Sequence, residues 1–93
     1  MDIPSKIKIG AITWTVWEVD EAEIDCDEHV IGDQSESTQL IRIARNLSPE
    51  MKEEVFLHEL LHCINPQMEH GLVEMLAKAL HEVLKENKLK FFD

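Results

Sequence analysis

Between residues 58 and 62 the chain reads His-Glu-Leu-Leu-His, with two imidazoles one helical turn apart. Residues i and i+4 share a helix face, so both rings can reach one zinc ion. The glutamate is displaced by about 100° and can reach a water bound to that metal. The chemistry this predicts is hydrolysis by a zinc-bound water, with His58 and His62 as ligands and Glu59 as general base. From Val55 to Ile64 every other residue is apolar, so the helix should be central. An unpaired buried carboxylate costs several kcal/mol, so the polar arc must face partners or a wet cleft. The ordinary alternative is a pair of core histidines beside a solvated glutamate.

The flanking elements are set by local signals. Ser48-Pro49-Glu50 is a helix start: a hydroxyl cap, Pro at the first position, then an acid. Asn65-Pro66 should end that helix near Ile64. A second helix is expected from Met68 or Glu69 to about Asn87. Its apolar arc comprises Leu72, Val73, Leu76, Ala79, Leu80, Val83 and Leu84. Upstream the pattern is strand-like. Ile7 and Ile9 alternate with lysines, Gly10 permits a tight turn, and Ile12, Trp14 and Val16 recur at period two. His29-Val30-Ile31 reads as a short strand and Gly32 to Ser37 as a polar turn, which makes a hairpin. Ile41 and Ile43 share one side of a last strand, Gln39 to Arg45. The fold class expected is α+β: a three- or four-stranded, mostly antiparallel sheet packed on two C-terminal helices.

Composition bounds the rest. With 93 residues, one domain over 1–93 is expected, with a small core. A formal charge of −10 argues against nucleic acid or an anionic membrane as partner. No apolar run approaches the ~18 residues of a spanning helix, and no signal peptide is visible, so a cytoplasmic protein is expected.

The segment Phe56–Ile64, FLHELLHCI, resembles the active-site helix of zinc-dependent metallopeptidases. Leu40-Ile41-Arg42-Ile43 and Leu72-Val73-Glu74-Met75-Leu76-Ala77 resemble the flanks of small phage-type members, akin to the ImmA/IrrE-like and minimal gluzincin groups. The resemblance implies a zincin-like domain, one zinc ion, cleavage of a peptide or protein substrate, and the cytoplasm of a bacterial host. It also implies a third ligand on the downstream helix, where the family has glutamate. Aligning Glu74 with the family's second acidic position places His70 at the ligand position. Glu74 would then orient His58 through its other ring nitrogen. In the alternative register Glu74 is itself the ligand and His70 a bystander. A third possibility leaves both on a solvated helix edge.

Other side chains are weighed against simpler roles. The chain has no tyrosine, so an oxyanion would fall to His81 or His29. The simpler role for His81 is an exposed position beside the apolar stripe. Cys63 reads as a buried thiol, and Cys26, among Asp25, Asp27 and Glu28, as part of an acidic loop. Arg42 and Arg45 lie on the strand before the metal helix. As an edge strand it would pair with a peptide through Gln39, Ile41, Arg42 and Ile43, or guard against aggregation. The competing functional class is a non-catalytic module of the same fold, with structural zinc or none.

Overall fold

Two lysine–isoleucine repeats open the sheet. In the computed structural model, which describes residues 3–20, 32–35 and 39–89, β1 (Lys6–Ile9) turns directly into β2 (Ile12–Val19). Ile9 pairs with Ile12, and Gly10 takes a φ of +62°, the left-handed conformation that a two-residue hairpin needs. β3 (Gly32–Ser35) and β4 (Leu40–Ala44) complete a sheet of order β1-β2-β4-β3. β1–β2 and β3–β4 are antiparallel, whereas β2–β4 is parallel.

Ser48 caps α1 (Pro49–Ile64), its side chain accepting from the Met51 N–H at 3.2 Å. Asn65 ends that helix. Glu69 caps α2 (His70–Glu86), and Asn87 closes it. At the far end Lys88 turns left-handed, and the Leu89 N–H bonds back to the Leu84 carbonyl.

The core lies between the sheet and α1. Trp14, Val16, Ile41 and Ile43 meet Val55 and Phe56, all buried. α1 packs on β3 and β4 on one side and on α2 on the other, which is why its Val55–Ile64 stretch is apolar nearly all round. Among the described residues the architecture is therefore α+β, with four strands and two helices, and neither helix is long and apolar enough to cross a membrane.

Three expectations need correction. The strand of the second hairpin occupies Gly32–Ser35, where a turn was expected; residues 29–31 lie outside the described residues. Backbone pairing with β4 overrides the turn preference of those polar residues. The strand carrying Arg42 is internal, held by β2 and β3, and Ile41 and Ile43 are fully buried. Strand addition through Gln39–Ile43 is thus excluded, because β4 already has a partner on each side. Finally, α2 buries a narrower stripe than its apolar arc. Within α2 only Val73 and Ala77 are buried, while Leu72, Leu80 and Val83 are exposed, since among the described elements α1 alone packs extensively on α2.

Candidate metal centre

His58 and His62 project from the last two turns of α1, with their Nε2 atoms 3.1 Å apart. The chain then reverses within five residues. The Asn65 N–H donates to the Leu61 carbonyl, and the Asn65 carbonyl and side chain accept from the Met68 and Gln67 N–H groups. That knot delivers His70, the first residue of α2, back over the two rings. Its ring centroid lies 5.0 Å from that of His58 and 5.4 Å from that of His62. One nitrogen of each imidazole falls within 4.8 Å of the others.

Zinc held tetrahedrally at about 2.0–2.1 Å from nitrogen ligands needs them roughly 3.3–3.4 Å apart. His58 and His62, 3.1 Å apart, are within about 0.3 Å of that separation, and His70 needs a shift of at most about 1.5 Å. The surroundings of His58 and His62 also favour the neutral ring that a cation needs. Burial, then the neighbouring imidazoles, holds His58 below the ordinary histidine pKa despite an opposing pull from Glu74. Burial and His70 do the same for His62. Neutral rings offer lone pairs to a cation. The residues fit the ion.

These depressed values have a consequence for the metal-free protein. Below the unfolded-chain pKa of about 6.5, the unfolded state takes up protons that the folded rings resist. The associated stability is present above about pH 6.5 and is lost as pH falls through the folded values. Chelator-treated wild type should therefore lose melting temperature between pH 6.5 and 5 more steeply than the His58→Gln/His62→Gln double variant. Parallel slopes would remove the two rings from the account.

Glu59 follows His58 on α1 and is buried, and no buried side-chain polar atom among the described residues lacks a hydrogen-bond partner. Glu74 is exposed and ion-paired with Lys78 at 3.3 Å. It acts on His58 through its charge but is not among the converging ligand atoms. Of the two registers, the geometry brings His70 to the pair. His70→Ala should accordingly weaken zinc binding far more than Glu74→Gln in a competition titration, because a lost ligand costs more than a lost neighbour. The reverse order would make Glu74 the ligand.

His81 does not reach this site. It lies three turns further along α2, roughly 16 Å from His70 at 1.5 Å per residue. Its Nε2 instead meets Glu53 Oε1 at 2.8 Å in a largely buried pair between the helices. A second tie, Lys85 to Glu50 at 2.6 Å, lies at the same end. The Lys85 ammonium holds the Glu50 carboxyl below its usual range, chiefly through the hydrogen bond. The sequence reading missed these ties. Their signal is a charge pattern running in opposite senses on two antiparallel helices. Cys63 is half-buried against the core cluster. His29 and Cys26 lie outside the described residues.

Comparison with known proteins leaves the centre to be read from its own geometry: no family model, no curated protein and no solved structure matches this chain.

Proposed function

We propose that the chain is a small zinc-dependent metallopeptidase. The observation that carries this reading is the convergence of His58, His62 and His70, with Glu59 on the same helix. When bound, zinc supplies Lewis acidity, polarising a carbonyl and making water a nucleophile near neutral pH. His58, His62 and His70 would hold the ion through one nitrogen each. Glu59 would accept the proton of the attacking water and return it to the leaving amine. Among the described residues β3 ends the sheet and packs beside α1, which suits it to pairing with an extended peptide.

The test is cleavage of an unstructured protein, followed by mass spectrometry. Activity should vanish with chelator and return with stoichiometric zinc. A zinc-loaded protein that cleaves nothing in a broad peptide library would sink the peptidase reading. A second reading, a non-catalytic module that uses zinc to hold its helices, draws on the exposed Leu72, Met75, Leu80 and Val83 of α2.

A further inference from the structure

The third imidazole sits at the first position of a helix, where backbone conformation is least constrained by intrahelical hydrogen bonds. Two neighbours remove that freedom. Glu69 Oε1 accepts from the Gly71 N–H at 2.8 Å and Oε2 from the Leu72 N–H at 3.1 Å. Both oxygens of one carboxylate therefore clamp the backbone directly after His70.

Glutamate is not a favoured cap; serine, threonine, aspartate and asparagine are. Its longer side chain must fold back over the first turn, and it does so across residue 71. A Cβ there would lie 3.0 Å from Oε1 and 3.2 Å from Oε2. No backbone atom is among the nearest contacts, so the carboxylate alone would have to move. A side chain at 71 would therefore crowd the carboxylate, which would have to give by a few tenths of an ångström to stay on the Gly71 and Leu72 N–H groups.

We propose that Glu69 and Gly71 form a matched pair that positions His70 for metal, an inference that rests on the zinc reading above. Neither residue is a ligand; both act through the backbone that carries one. The clamp fixes the backbone of the first turn of α2, the turn on which the imidazole begins.

The discriminating variant is Gly71→Ala. Alanine is the better helix former, so on helix propensity alone this change should be neutral or stabilising. If the pair positions His70, it should instead displace the carboxylate and weaken zinc binding by about 10–100-fold, the size typical for groups that orient ligands. Glu69→Ala should show the same loss, and Glu69→Asp, a shorter and better cap, should recover most of it. The Glu69→Ala/Gly71→Ala double variant should bind no worse than Glu69→Ala, because both changes remove one contact.

Affinity is measured by competition with a chromophoric chelator, and site geometry by the visible spectrum of the cobalt-substituted protein. Melting of the metal-free variants provides the control for folding. Wild-type affinity in Gly71→Ala, whatever Glu69→Ala does, overturns the pairing. If His70→Ala meanwhile loses the metal, the zinc reading survives that result. Wild type that binds no zinc overturns both.

Discussion

Replacing either His58 or His62 by alanine is expected to abolish the binding of one zinc ion per chain. Each ring supplies one of three converging nitrogens, and two ligands do not hold a tetrahedral ion firmly. The loss should register in stability as well as in metal content. Zinc at 100 times its dissociation constant stabilises the folded state by about 2.7 kcal/mol. For a domain near this size, that corresponds to roughly 10–20 °C in melting temperature. Wild type should show such a rise on adding zinc, and neither variant should. Elemental analysis of protein purified without chelator, alongside thermal unfolding with and without zinc, makes the measurement. Full zinc occupancy in the double histidine variant would place the metal elsewhere.

Glu59→Gln is expected to separate catalysis from metal binding. The substitution keeps the side-chain shape in a buried position and removes the basic carboxylate. Zinc affinity and melting temperature should stay close to wild type, since Glu59 is not among the converging ligands. Turnover should fall by about 10²–10⁴, or roughly 3–5 kcal/mol of barrier, the usual contribution of a positioned base. Equal cleavage by both proteins would point to a contaminant or another base. Zinc bound normally with no cleavage by either would favour the non-catalytic module.

The helices were legible because their ends carry local chemistry. Ser48 and Pro49 start α1 as read, and Asn65 stops it. The two histidines of the motif also meet as their spacing requires. What was not legible depends on neighbours distant in sequence. Whether β4 is an edge is decided by β2 and β3, which its own alternation cannot reveal. The strand at Gly32–Ser35 is held by pairing rather than by propensity. The α2 arc overstated burial because the wheel shows which side is apolar but not how wide the partner is. His81 looked like a surface residue because its partner, Glu53, belongs to the other helix. Choosing between His70 and Glu74 needed the Asn65 turn, since both lie at the edge of the α2 arc.

The three imidazoles all lie between residues 58 and 70, on one helix–turn–helix. Every contact needed to gather them is short in sequence separation. The sheet is the opposite case: β2 and β4 pair in parallel, and the chain between them must close a long loop first. Helix hairpins assemble on faster timescales than non-local strand pairings. If the chain binds zinc as proposed, the ion would be able to engage its ligands while the sheet is still open. It would then act on the folding rate as well as on the final stability, by holding the α-hairpin as a template against which the strands order.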